Sequence, residues 1–154
     1  MNSVLAQSIA DLSNRWRNRF SLSRTSSRAG HLRLGARGEK LASRFLRRNG
    51  YKILYRNFRG RGGGEIDIVC RDRDTLVFVE VKTRTREDFG RPLDAVNRAK
   101  QQRISRGGLA WLRLLDNPDI LFRFDVVEVL IAESAAPRLE LIRNAFQLPE
   151  PYIY

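Results

Sequence analysis

The chain is poor in residues that cross-link or ligate soft metals: one cysteine, one histidine and one methionine in 154 residues. Cys70 sits in an apolar run that reads as a buried strand, so there is no disulfide framework and no thiolate zinc site, and a reducing compartment fits. The lone His31 is not read as a ligand. No run approaches the roughly 20 apolar residues that span a bilayer, which argues against a membrane protein. The first 30 residues lack the basic start and apolar core of a secretory signal, although their Arg and Ser content imitates an organellar transit peptide. The expected location is the cytoplasm. Lysine is scarce too: four of the 29 basic residues are Lys and the rest Arg.

What is abundant is positive charge. The formal net charge is +12, and by segment it is +4 over residues 1–30, +12 over 31–113 and −4 over 114–154. A surface this basic attracts polyanions, and binding to phosphates is driven by counterion release. The planar fork of Arg suits bidentate phosphate contact. A GC-rich coding sequence would also favour Arg over Lys, but it would not produce the net charge.

Periodicity divides the chain into three parts. Residues 1–30 read as a basic extension, an amphipathic helix (Leu5, Ile9, Leu12, Trp16, Phe20) followed by a Ser/Arg/Gly linker from Ser21 to Gly30. Residues 31–147 read as one domain and 148–154 as a tail. Within the domain, helical spacing from Leu34 through Leu46 ends at Asn49-Gly50, a C-terminal stop signal. Tyr51–Arg59 alternates as a strand, and Gly60–Gly64 is a loop whose backbone could approach a ligand closely. Glu65–Cys70 and Thr75–Lys82 are strand-like runs joined by a hairpin signal at residues 71–74. Pro92 can open a second helix to about Leu115, with Val96, Ala99, Ile104, Leu109 and Leu112 facing the core and Gly107-Gly108 as a weak point. Leu121–Ile131 and Leu139–Ile142 read as further strands.

Asp67 and Glu80 interrupt apolar strand runs, where an ionised carboxylate is costly unless it is paired or holds a cation. Pairing Cys70 with Thr75 across the hairpin sets Asp67 opposite Phe78 and makes Glu80 its diagonal neighbour on the same face, with Glu65 opposite Glu80. Two carboxylates converging at that spacing suit a hard cation with oxygen ligands. Strand period puts Lys82 on the same face. Phosphodiester hydrolysis needs an activated water, a cation and a group that steadies the phosphate, and these residues can supply all three. Glu39, at the edge of the first helix's apolar stripe, is a candidate further ligand. Each has a plainer alternative: water-facing edge charges for Asp67 and Glu80, a solvated strand end for Lys82, a helix-surface interaction for Glu39. Asp125 is read as structural.

Gly38-Glu39, Gly64-Glu65-Ile66-Asp67, Phe78 to Arg84 and Arg123 to Val127 together resemble the YraN family over about His31 to Phe146. That family consists of small bacterial proteins similar to the PD-(D/E)-x-K nucleases and archaeal Holliday junction resolvases. The resemblance implies an α/β, three-layer restriction-endonuclease-like fold with a mixed central sheet flanked by helices. It also implies Asp67, Glu80 and Glu39 as metal ligands and Lys82 as catalytic lysine. The expectation is an endonuclease that uses Mg²⁺ or Mn²⁺ to hydrolyse nucleic acid, DNA first and branched DNA among its substrates. Arg61, Arg84, Lys100, Gln101 and Arg103 are candidate nucleic-acid contacts, and the resolvase resemblance suggests a homodimer. The alternative is a basic nucleic-acid-binding module that keeps the fold without turnover.

Overall fold

A computed structural model of the protein describes residues 26–85 and 96–148. Along the chain run α1 (Ser26–Arg48), β1 (Lys52–Arg59), β2 (Glu65–Asp72), β3 (Thr75–Arg84), α2 (Arg98–Leu114), β4 (Phe122–Leu130) and β5 (Arg138–Phe146). The strands form one sheet in the order β1-β2-β3-β4-β5. All neighbours are antiparallel except β3 and β4, which are parallel and joined through α2. The sheet is therefore mixed, and a core lies on each of its faces. Under α1 are Ala42, Leu46, Ile68, Cys70, Val77, Val79, Val127 and Val129. Under α2 are Val69, Phe78, Ile104, Leu112, Phe124 and Val126. Alternate residues of β3 and β4 feed opposite cores, as the period of a strand requires. The result is the three-layer α/β arrangement expected of a nuclease-like fold.

Several local expectations need correction. Residues 26–30, read as linker, form the start of α1, which crosses the boundary placed at residue 30 and begins eight residues before Leu34. Alanine and arginine favour the helix, and one glycine costs only about 1 kcal/mol. The stop at Asn49-Gly50 holds: Gly50 has φ +85, and Tyr51 N–H returns to Leu46 O at 3.0 Å. The second helix is capped by Asn97, whose side chain accepts from Lys100 N–H, and Ala99 is exposed rather than in the core. Pro92, the expected helix at residues 1–20 and residues 149–154 of the tail lie outside the described residues.

Gly107-Gly108 is not a weak point but a tight contact. A Cβ on Gly64 would lie 2.5 Å from Arg106 C, and one on Gly107 would lie 2.8 Å from Ile66 Cγ1. Gly64 and Gly107 let α2 press backbone to backbone onto the start of β2, and Gly108 lets it settle on the Phe78 and Phe124 rings. Interhelical or helix–sheet proximity of this kind offsets the propensity cost of glycine.

The hairpin pairs in a different register from the expected Cys70–Thr75. Asp72 pairs with Thr75 and Cys70 with Val77, leaving Arg73-Asp74 as a two-residue turn with Arg73 at φ 53. Two-residue turns demand positive φ because their twist matches that of the flanking strands. A shift of two residues by itself moves no side chain to the other face. It changes who stands opposite whom, and that matters for the acids.

Candidate metal and nucleic-acid site

Continuing the observed register one step beyond Ile68 and Val79 sets Asp67 directly opposite Glu80 rather than diagonal to it. Glu65 correspondingly moves away from Glu80 along the strand. Asp67 Oδ2 accepts from Val81 N–H at 2.8 Å, so its carboxylate occupies a place where the ladder between β2 and β3 opens. Glu80 is only 6% exposed, and its Oε2 is buried without a donor. The Glu80 carboxyl meets that of Asp67, which as an anion can only accept. Two such groups are compatible over a shared proton or a cation. Burial, and then the charge of Asp67, push Glu80 up to about 8. Burial also raises Asp67, against the Val81 N–H that favours its charged form.

A distortion in β1 completes the row. Arg56 pairs with Ile68 and Phe58 with Ile66, which puts Asn57 opposite Asp67. Asn57 has φ 55, and on β2 the alternation breaks at the same level, since Ile66 joins the core under α2 with Val69. Asn57 hydrogen-bonds the side chain of Glu39. Burial raises Glu39, that hydrogen bond opposes the rise, and the charge of Asp67 adds to it. Glu39 thus comes to the row from α1. Its helix is brought in at Gly38, where a Cβ would overlap the Thr83 hydroxyl of β3. Among the described residues no three His, Cys, Asp or Glu side chains gather closely enough to hold a metal. Asp67 and Glu80 converge; Glu39 stands behind Asn57.

From the other face α2 delivers Lys100. Its Nζ lies 3.0 Å from Glu80 Oε1 and 3.1 Å from Glu65 Oε1, and Arg103 pairs with Glu65 at 3.1 Å. Burial alone would lower the Lys100 ammonium, but Glu80 and Glu65 hold it above its ordinary value. Of the five candidate nucleic-acid contacts, four are engaged within the chain. Besides Lys100 and Arg103, Gln101 donates to Val96 O at 2.9 Å and Arg84 pairs with Glu128 at 2.8 Å. Arg61 is exposed in the glycine loop. Lys82 is partly buried beside Glu128 in the ladder of β3 and β4, and forms no ion pair with a described residue. His31 is exposed on α1.

Asn57 and the bridging role of Lys100 escaped the sequence reading. Asn57 left one trace, an asparagine in an alternating strand, where that residue is disfavoured unless φ is positive. Nothing in spacing could pair Lys100 with Glu80 across the fold. Asp125 lies apart from the acid row and under α1: fully buried, it accepts from Arg123 Nε at 2.9 Å and from Asn144 N–H at 2.9 Å. Arg123 also binds Asp72 at 2.8 Å and Tyr51 Oη at 3.0 Å. Burial, with Asp125 nearby, pushes the Cys70 thiol up to about 12, which leaves it unreactive.

The sequence pattern of the group described as "Uncharacterised protein family UPF0102" matches residues 38–129. This chain belongs to family UPF0102, the YraN family. The matched span runs from the Gly38-Glu39 contact with β3 through the end of β4, so it contains the whole acid row and Lys100. A UPF0102 protein of Geobacter sulfurreducens is 53% identical over 115 residues, 75% of this chain and 89% of the relative. That of Geobacter metallireducens is 51% identical over 115 residues, covering 75% and 93%. The UPF0102 protein of Nocardia farcinica is 48% identical over 113 residues, covering 73% and 88%. UPF0102 names a family without naming a reaction, so the chemistry has to be argued from the acid row. No helix among the described residues is long and apolar enough to cross a membrane.

Proposed function

We propose that this chain is a divalent-metal phosphodiesterase of nucleic acid, an endonuclease with DNA as its first substrate. The observation that carries the reading is the opposed pair Asp67 and Glu80, with Glu80 Oε2 buried and undonated on a chain of net charge +12. A buried, unpartnered carboxylate oxygen beside a second carboxylate is a poor way to hold a sheet together and a good way to hold Mg²⁺ or Mn²⁺. Asp67 and Glu80 would be its protein ligands, with Glu39 set to enter through water or after Asn57 releases it. When bound, the cation supplies charge against the reacting phosphate and eases deprotonation of the attacking water.

The chain's own groups divide the remaining work. Val81 N–H fixes the Asp67 carboxylate, and Asn57 fixes Glu39. Lys82, on the Glu80 face and without an internal partner among the described residues, would steady the phosphate or the water. Arg61 and its exposed neighbours would position the backbone without reading sequence.

A second reading, a binding module without turnover, has one observation in its favour: Lys100 already neutralises Glu80, so the fold does not depend on a metal. Cleavage assays separate the two. Labelled junction, flap, duplex and single-stranded DNA, and single-stranded RNA, are incubated with Mg²⁺ or Mn²⁺. Cleavage that Asp67→Asn abolishes supports the nuclease. Binding without cleavage of any substrate supports the module.

A further inference from the structure

One surface feature plays no part in the acid row. Between α2 and the glycine loop lies a cleft of ≈ 350 Å³, floored by Phe58, Ala110 and Leu114 and rimmed by Arg59, Arg61 and Arg113. The size is at the small end for ligand sites, which run from about 300 to 1,000 Å³. Leu114 is 40% exposed and gives the cleft an apolar surface open to a ligand. The three arginines form no ion pair with a described residue, whereas Arg84, Lys100, Arg103 and Arg123 all do. An apolar floor beneath uncompensated guanidinium groups is complementary to a flat, apolar-faced group that carries negative charge.

The cleft is aligned with the acids. Lys100, Arg103, Gly107, Ala110 and Leu114 follow one another at three- and four-residue steps, so they share a stripe of α2, covered at Gly107 by β2, whose length gives the separation of the cleft from the acids. From Lys100 to Leu114 that stripe is about 21 Å long at 1.5 Å per residue. At about 3.4 Å per stacked nucleotide this is roughly six nucleotides, and fewer in an extended strand. The loop that forms the other wall is held by Gly60 N–H to Gly64 O at 2.9 Å and by the glycine contact with Gly107. The wall is therefore fixed rather than formed on binding.

We propose that this cleft binds an unstacked nucleotide, the base against Phe58 and Leu114 and the phosphates on Arg59, Arg61 and Arg113, a few nucleotides from the bond presented to Asp67 and Glu80. The last clause rests on the nuclease reading; the affinity of the cleft for a nucleotide does not. The recognised feature is then a strand whose bases are free, such as a flap, gap or branch, rather than a uniform duplex. A base stacked on such a platform gains affinity largely irrespective of its identity. The basic N-terminal 30 residues, at net +4, are electrostatically the wrong occupant for an arginine rim.

The test is fluorescence polarisation of the full chain in EDTA, with labelled oligothymidylate about ten nucleotides long and the same backbone made abasic. The wild type should bind the thymidylate about fivefold or more tighter than the abasic strand. Leu114→Ser should remove that difference and leave abasic binding unchanged. Arg61→Ala with Arg113→Ala should weaken both strands about tenfold or more. All three positions are exposed, so folding survives, and circular dichroism checks it. Equal affinity of the wild type for the two strands, or variants that bind as the wild type does, would overturn the proposal. So would a tenfold gain on deleting residues 149–154, which would make the acidic tail the occupant. No metal is present, so a protein that cleaves nothing still yields these affinities, and one that cleaves but shows no base preference loses only the cleft.

Discussion

The Lys100 ammonium sits 3.0 Å from Glu80 Oε1, bringing a cation from α2 to an acid on β3 that already faces Asp67. A metal entering the acid pair must compete with it. Replacing Lys100 by Met should therefore tighten Mn²⁺ binding several-fold once Glu80 is deprotonated, which takes a higher pH in the variant because the ammonium no longer lowers the Glu80 pKa. The metal-free fold should lose roughly 1–2 kcal/mol, less than a fully buried ion-bonded partner because the ammonium is partly exposed. Calorimetric titration and urea unfolding measure both. Weaker Mn²⁺ binding in the variant would show that the lysine supports the metal instead of opposing it.

Asp67→Asn keeps the acceptor for Val81 N–H but removes the charge. Metal affinity and cleavage should collapse together, while metal-free DNA binding stays equal or tightens slightly as repulsion from phosphate falls. The melting temperature in EDTA at pH 8 should hold or rise, since Glu80 loses its like-charged neighbour. A variant that cleaves as well as the wild type would remove Asp67 from the site.

Glu80 is a carboxyl whose folded pKa, about 8, lies above its ordinary 4.5. Between those values the folded chain binds more protons than the unfolded chain, so this group's contribution to stability falls as pH rises from 4.5 to 8 and is flat beyond. Asp67 and Glu39, raised in the same direction, add to the fall. Because the cation must displace the Glu80 proton, Mn²⁺ affinity should climb by up to about tenfold per pH unit below 8 and level off above it. Titrations at pH 6, 7, 8 and 9 read the slope, and a flat series would exclude Glu80 as a ligand.

Gly64→Ala drives a methyl into the Gly107 backbone and should cost about 3 kcal/mol or more, displacing α2 and with it Lys100. Gly62→Ala, with nothing within 4 Å of a new Cβ, should be neutral or slightly stabilising, by less than about 1 kcal/mol. Paired denaturant curves give the contrast. Equal stability of the two variants would mean that α2 is not seated on the loop.

Asp125→Ala should destabilise by about 2–3 kcal/mol, because Arg123 keeps only Asp72 and Tyr51 as partners and Asn144 N–H loses its acceptor. Mn²⁺ affinity of the fraction that folds should match the wild type. A selective loss of metal binding would join this buried pair to the acid row.

The helices, the strands and the acidic candidates were legible because they depend on local periodicity, whereas the layer order came from the family resemblance. Asp67 and Glu80 stood out as charges inside apolar runs, and Asn49-Gly50 marked a helix end by backbone preference alone. The hairpin register was misjudged by two residues because Arg73-Asp74 has no glycine to announce a two-residue turn. That slip changed neighbours without changing faces, since two residues are one full strand period.

What the sequence by itself determined is therefore the chemistry of the residues and, for most of them, their face: a basic chain, an α/β domain, and two carboxylates and a lysine on one side of a hairpin. Only the tertiary structure decided who meets whom. Lys100 neutralises Glu80 because Gly64 and Gly107 let α2 settle against β2, and Glu39 is tied to Asn57 because one strand residue takes a positive φ. Both relationships join segments far apart in the chain, through close packing and a local backbone reversal, and periodicity within a segment carries no information about either.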